Sequence, residues 1–336
     1  MAVLVPVPAP GALEVARIAL LRRRDVMTVD SRPQVSRRPR LAHPDFMVIG
    51  AMRAGTTRLY ELLAQHPRVQ MSMPKETHHY DAGLYRRFCG PGDQWTSSQA
   101  VEDDETYRRL LEPHPPATVS GEASATYLYL PGVLEQVHAD LPDIKVVVML
   151  REPAQRAYSS YWYLRGQGRE HLPTFEGGLA AEEDRRRRGF GPMWHYVAAG
   201  RYAAQLRRCI ALLGRERVFV GLTDRLRDDP AGLLHDLSGF LELGPAATAE
   251  PTRSNASGAP RSDLVNRLLY PPDGVRRVAR ALAPGLVTTV QRLRRRNLAA
   301  VPPMCARTEQ RLRSVFAAEV AATAELTGLD LAAWGY

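Results

Sequence analysis

Cysteine is scarce in this chain: there are three in 336 residues, Cys89, Cys209 and Cys305. An odd, widely spaced set makes neither a disulfide framework nor a zinc site, so the three are expected to be reduced thiols in a cytoplasmic protein. Long apolar runs are also missing. Nothing approaches the roughly 18 consecutive apolar residues of a membrane span, so no integral membrane contact is expected. Lysine is nearly absent: of 45 lysines and arginines, only Lys75 and Lys145 are lysine. With so much alanine, leucine and proline, that skew fits a GC-rich genome better than a chemical need. What is abundant is core material. Hydrophobic residues make up 45% and charged residues 24%, which suits a globular chain with a sizeable core and not a disordered polymer. The net charge of +9 favours anionic partners, either nucleic acid or a small phosphorylated ligand. The arginine runs at 22–24, 185–188 and 294–296 lack interleaved aromatics, so they read as solvated faces and no nucleic-acid partner is expected.

Residues 1–44 read as a basic, proline-rich appendage, with a short amphipathic helix patterned over 11–24 and a linker over 31–40. No small-residue cleavage site follows an apolar core, so no signal peptide is expected, and Met27 offers a second start. A single domain over 45–336 follows. Buried strands are predicted at 46–50, 117–121, 144–150 and 218–222. Helices are predicted at 57–65, 131–140, 154–165, 201–213 and 230–241. The part from 262 to 327 reads as helical. Its last helix, about 304–327, carries Leu312, Val315, Phe316, Val320 and Leu326 and stops at Gly328. Strands alternating with helices imply an α/β fold, a central parallel sheet flanked by helices with right-handed crossovers.

Three stretches carry chemistry. After the first strand comes Gly50-Ala-Met-Arg-Ala-Gly55-Thr56-Thr57, with the Gly-x4-Gly spacing of a Walker A loop. A strand, a glycine turn and a helix N-terminus point several N–H groups and a positive dipole end at one spot, which suits a phosphate. The lysine that the Walker pattern needs is Thr56 here, and the cation is Arg53 inside the loop. An ordinary strand–helix turn remains the alternative on spacing alone. Next, Glu76 and His78 in Lys75-Glu-Thr-His-His-Tyr-Asp81 stand at i, i+2, which on an extended segment places a base and its orienter on one side. No remote ligand set accompanies His78, His79 and Asp81, so no metal is expected. Third, Arg151 closes the strongest strand, and Ser159 follows about two helical turns on. An arginine there can hold a phosphate by its fork.

Taken together these stretches resemble the sulfotransferases that use 3′-phosphoadenosine 5′-phosphosulfate (PAPS) as donor, over about 45–335. Arg53-Ala54-Gly55-Thr56-Thr57 is similar to the family loop that wraps the 5′-phosphosulfate, and the run from Arg151 to Ser159 has its Arg-x-Pro-x-x-Arg-x-x-Ser pattern for the 3′-phosphate. Lys75, Glu76, His78, Tyr80 and Asp81 resemble the Lys-Glu-x-His segment of the heparan-type branch, with His79 in an aromatic's place. Gly121-Glu-Ala-Ser-Ala-Thr-Tyr127 is similar to that branch's Gly-Glu-Lys-Ser-Pro-x-Tyr. Gly200-Arg-Tyr202 and the stretch from Gly328 to Trp334 look like the family's later segments.

The resemblance implies a P-loop-NTPase-like fold and transfer of a sulfuryl group to a hydroxyl of a sugar, lipid or secondary metabolite in a bacterial cytoplasm. Glu76 would take the acceptor proton, His78 would orient it, and Arg53 would stabilise charge on the departing phosphate. Ala54, Gly55, Thr56, Thr57, Arg151, Ser159 and Tyr202 would bind the donor. A late arginine would help at the 3′-phosphate, Arg253 or Arg261, with Arg261 preferred. Arg53 replaces the family's lysine, and Ala123 and Ala125 stand for the lysine and proline of the heparan-type branch. The stretch 165–201 reads as long and irregular and would cover the acceptor. Rival readings are a Walker-like small-molecule kinase and a non-catalytic nucleotide-binding protein of the same fold.

Overall fold

The computed structural model describes residues 43–244, 258–270 and 286–336. At its centre lies a five-stranded sheet of β1 (Phe46–Gly50), β2 (Val69–Met71), β3 (Val119–Ala123), β4 (Lys145–Leu150) and β5 (Val218–Leu222). The order is β2-β3-β1-β4-β5 and every pairing is parallel, with β4 and β5 in register from Val146–Val218 to Leu150–Leu222. Parallel strands are covered on both faces, which is why β4 is a continuous apolar run and all five residues after Lys145 are buried.

Among the described residues, the helices of eight or more residues are α1 (Thr56–Leu63), α2 (Asp104–Leu111), α3 (Val133–Asp140), α4 (Pro153–Gly166), α5 (Phe175–Arg187), α6 (Tyr202–Leu213), α7 (Pro230–Phe240), α8 (Leu286–Arg296) and α9 (Ala306–Thr327). α1 buries Leu59, Leu62 and Leu63, the face expected from their spacing. α4 starts on Glu152, whose carboxylate accepts from the amides of Ala154 and Gln155, with Pro153 in the first turn. α9 packs on α6 and ends at Gly328, which has φ 71°. It buries Leu312, Phe316 and Val320 but leaves Val315 exposed, because Val315 falls off that stripe. A small antiparallel pair, β6 (Ala259–Pro260) and β7 (Leu298–Ala299), packs on α4.

Four expectations change. β2 was not anticipated; it is three residues long at the sheet edge, too short for a period to show. The strand expected at 117–121 lies at Val119–Ala123, because the amides of Thr118 and Val119 both bond Arg68 O and the ladder begins only there. The stretch 165–201 is not irregular throughout. It contains α5, capped by Thr174 Oγ1 on the amide of Gly177 and burying Phe175, Gly178, Glu182 and Arg185. Finally, the ordered fold reaches back past Asp45: Pro44 is buried and His43 O accepts from Ser120 Oγ. The helix at 11–24, the linker at 31–40, Met27 and Arg253 lie outside the described residues. Among those described, no helix is long and apolar enough to cross a membrane.

Candidate active site

Beyond the C-terminal ends of β1, β3 and β4, three connections meet. The first is the turn from β1 into α1. Ala51 donates to Met149 O and Ala54 to Ala51 O, which folds the turn tightly over β4. Gly55 caps α1 with φ 87°, and a Cβ there would come within 3.1 Å of the Leu226 side chain, so glycine meets both demands. α1 has neither a side-chain cap nor an acidic residue in its first turn, and Thr57 is exposed, so no carboxylate competes for the positive end of the helix. Thr56 is buried. Ala54 is buried too, and its carbonyl accepts from Thr223 Oγ1, which also bonds Leu150 O and so pins the turn to the end of β4.

Arg53 joins this turn to α4. Its Nε donates to Ser159 Oγ at 3.3 Å across 106 residues of sequence, and its guanidinium lies 4.2 Å over the ring of Tyr163. Ser159 and Tyr163 are four residues apart, hence on one face of α4. Burial pulls the Arg53 pKa down to about 10, with Tyr163 opposing and Arg151 and Arg156 adding to the fall, so the side chain keeps its charge at neutral pH. Arg151 leaves the end of β4, and burial likewise lowers its pKa. Arg151 and Arg156 lower the Arg53 pKa, and Arg156 lowers that of Arg151, a repulsion that a polyanion bound here would relieve.

Two expected donor contacts stand differently. Tyr202 is buried and its hydroxyl donates to Arg151 O at 2.8 Å. It therefore holds the backbone of Arg151 at the end of β4. Arg261 is exposed; its amide bonds Asn297 O and its Nε lies 3.4 Å from Leu298 O. Among the described residues, no hydrogen bond or ion pair joins it to Arg151 or Ser159. Its link to them is that the small sheet beside it packs on α4.

The third connection carries Glu76 and His78. It is not the extended segment that i, i+2 spacing suggested. Glu76 has φ 60° and His78 φ 52°. With Arg53 at φ 66°, three of the four non-glycine residues of positive φ among the described residues lie at this site. Each left-handed residue costs about 1–2 kcal/mol, and such strain persists only where the surroundings over-determine it. Here they do. The Glu76 amide donates to Ala123 O, and its Oε2 accepts from the Ala125 amide at 2.9 Å. Lys75 Nζ bonds the other carboxylate oxygen. Burial disfavours the Glu76 charge, but Lys75, His78 and the Ala125 amide outweigh it and hold the carboxyl below its usual range. About a third of the Glu76 side chain remains exposed, so the carboxylate is reachable.

His78 is set by a partner that spacing did not reveal. Its Nδ1 lies 2.9 Å from Asp81 Oδ1, and Asp81 Oδ2 accepts from Thr126 Oγ1. The ring packs edge-on to Tyr85. Burial opposes a proton on His78, yet Asp81, then Glu76 and Glu122, raise its pKa above the ordinary value. His79 stacks on Tyr107 at 3.9 Å and 2°, filling an aromatic's place as a ring would. Among the described residues, no group of three or more His, Cys, Asp or Glu side chains is arranged to hold a metal ion. Behind the loop lies Glu122, fully buried, whose carboxyl burial pushes up to about 7, with Ser124 and Thr77 opposing and Glu76 and Asp81 adding. Spacing assigns no role to Asp81, Glu122, Ser124 or Thr126; the polar residues at every second position of 120–126 (Ser120, Glu122, Ser124 and Thr126) are the signal that the sequence offers.

The arginine run at 185–188 is not a free basic patch. Arg185 is buried in a two-pronged pair with Glu170, and Arg186, Arg187 and Arg188 each reach Glu183 or Asp184 on their own helix.

A family model described as the sulfotransferase family matches residues 44–243. Heparan sulfate glucosamine 3-O-sulfotransferase 6 of Mus musculus is 27% identical over 255 residues, 75% of this chain and 66% of that protein. The bifunctional heparan sulfate N-deacetylase/N-sulfotransferase of Drosophila melanogaster is 27% identical over 220 residues, 60% of this chain but 20% of that protein. Thus this chain spans only part of either relative. Among solved structures, a sulfotransferase from Alicyclobacillus acidocaldarius superposes with a TM-score of 0.70 at 29% identity, covering 88% of this chain and all of that one.

Proposed function

This chain belongs to the sulfotransferase family, and we propose from that premise that it transfers a sulfuryl group from PAPS to a hydroxyl of a sugar, lipid or secondary metabolite. The observation that carries the reading is the Arg53–Ser159 bond. It ties the phosphate turn to the helix of the second anion motif, which a donor with phosphates at both 5′ and 3′ positions requires. The residues fit such a donor: the N-terminal amides of α1, the Thr57 hydroxyl and Arg53 suit the 5′ end, while Arg151 and Ser159 suit the 3′-phosphate.

The donor supplies an activated sulfuryl group that passes in line between oxygens through a loose transition state, so positioning and charge stabilisation make up most of the catalysis. Glu76, ionised and partly open, accepts the proton of the attacking hydroxyl as the acceptor oxygen bonds sulfur and the bond to the phosphate oxygen breaks. Arg53 meets the charge left on that phosphate with a planar fork in place of a lysine point charge. His78, held by Asp81, stands as a donor beside Glu76 and orients the acceptor. An uncharged acceptor is favoured over a sulfated glycan: Ala123 is buried where the heparan-type pattern has lysine, and the four arginines at 185–188 already hold carboxylates.

The test is calorimetry with adenosine 3′,5′-bisphosphate (PAP), with AMP and magnesium–ADP as controls. Micromolar binding of PAP and much weaker binding of both controls is expected. Equal binding of AMP, or a preference for magnesium–ADP, would remove the donor site and return the kinase reading.

A further inference from the structure

We infer that Glu122 is a positioning residue of the transfer site: its carboxyl clamps the Thr77 side chain directly and the His78 amide through Ser124, and so aims Glu76 and His78. The inference rests on the roles proposed above for those two residues. Glu122 sits one residue before the end of β3 with no exposed surface. Its Oε1 accepts from Thr77 Oγ1 at 2.8 Å and from Ser124 Oγ at 2.5 Å. Ser124 Oγ in turn accepts from the His78 amide at 3.3 Å. One oxygen therefore grips the loop twice, directly at Thr77 and through Ser124 at His78. Thr77 is itself fully buried, between the two left-handed residues.

Neither bond of Glu122 goes to a cation, and its Oε2 has no hydrogen-bond partner in its buried site. A buried carboxyl without a counter-charge is costly, and an apolar side chain would fill the same place without that cost. Its bonds go only to the Glu76–His78 loop and to the segment whose Ala125 amide holds Glu76. The ionisable groups facing it are Glu76, His78, Tyr80 and Asp81 of the loop, with Tyr107 from α2 and Tyr127 from beyond β3. A site kept only for stability would not spend a carboxyl on this loop; a loop that must hold two strained residues needs an acceptor there.

Four full-length proteins test this: wild type, Glu122→Ala, Glu122→Gln and Thr77→Val. Hydrogen exchange of the Glu76 and His78 amides, the 15N resonances of the His78 ring and PAP affinity are read on each. Thr77→Val, which removes only the hydroxyl, guards against a Glu122→Ala protein that fails to fold. Removing the clamp should speed exchange of both amides about tenfold or more in Glu122→Ala and Thr77→Val, the effect of one buried hydrogen bond on local opening. The His78 ring should lose its single set of resonances in both. Glu122→Gln keeps an acceptor oxygen and should restore both signals, and PAP affinity should hold within about threefold, because Arg53, Arg151 and Ser159 lie outside the clamp. Unchanged exchange in Thr77→Val, or Glu122→Gln behaving like Glu122→Ala, would overturn the inference. Failure of the wild type to bind PAP would sink the donor reading while exchange still judged the clamp.

Discussion

Replacing Glu76 with glutamine separates chemistry from structure at this site. The amide keeps the shape and an oxygen for the Ala125 amide, now at 2.9 Å from the carboxylate. A charged hydrogen bond becomes a neutral one, at a cost of about 1 kcal/mol. The pair with Lys75 is lost, but both side chains are partly exposed, at 15% and 31%, so that loss is screened to about 0–1 kcal/mol. Together these predict a fall in Tm of only about 2–3 °C for a domain of this size. Turnover should fall about 10²–10⁴-fold, the usual cost of losing a general base. PAP affinity should stay near that of the wild type. The pH dependence has a definite sign. Because the folded Glu76 carboxyl titrates below its ordinary 4.5, its ionised form contributes stability that is fully present above that value and is lost as pH falls through the folded value. The stability gap between wild type and Glu76→Gln should therefore be constant above pH 4.5 and close below it. The assay is transfer of radiolabelled sulfate from PAPS to an accepted alcohol, with calorimetry for PAP and melting across pH. Turnover within threefold of wild type, with PAP still bound, would show that Glu76 is not the base.

Three further outcomes follow from packing and charge. His195, buried between Tyr129 and Phe190 O, has its pKa lowered to about 4 by burial; the unfolded chain takes up its proton near 6.5, so stability should drop as pH falls from 6.5 toward 4, and His195→Gln should flatten the melting profile in that window. Gly121→Ala should lower stability by about 1–3 kcal/mol in denaturant melts, since its Cβ would lie 2.3 Å from the Phe46 ring; an unchanged midpoint would contradict the packing of β1 on β3. Arg185→Ala should cost about 3–5 kcal/mol by stranding the buried Glu170, whereas the mostly exposed Arg187→Ala should cost under about 0.5 kcal/mol, a contrast that the same melts would resolve.

Much of this site is legible in the chain because strand–turn–helix punctuation is local. The apolar run before Gly50, the left-handed glycine at 55 and the Glu152-Pro153 helix start each act within a few residues, so the turns after β1 and β4 could be placed from sequence, and with them the parallel α/β class. Three features resisted. β2 is too short to carry a period. α5 hides its Thr174 cap behind two glycines and an arginine run. The loop at 75–81 looks extended by spacing but is bent by two positive φ values. In that last case the reason is energetic: isolated residues do not choose the left-handed region, and only bonds from elsewhere hold them there.

The sequence by itself determined the parallel α/β class and which residue types stand at the turns, since those depend on local propensity and apolar periodicity, while the family showed through the resemblance of its motifs. Only the tertiary structure decided what each side chain does. It set Tyr202 against the backbone of Arg151, gave His78 its partner Asp81, joined Arg53 to Ser159 and set Glu122 beneath the loop. Those pairings span up to 106 residues, and no local preference encodes them; they exist because the parallel sheet brings the ends of its central strands to one place.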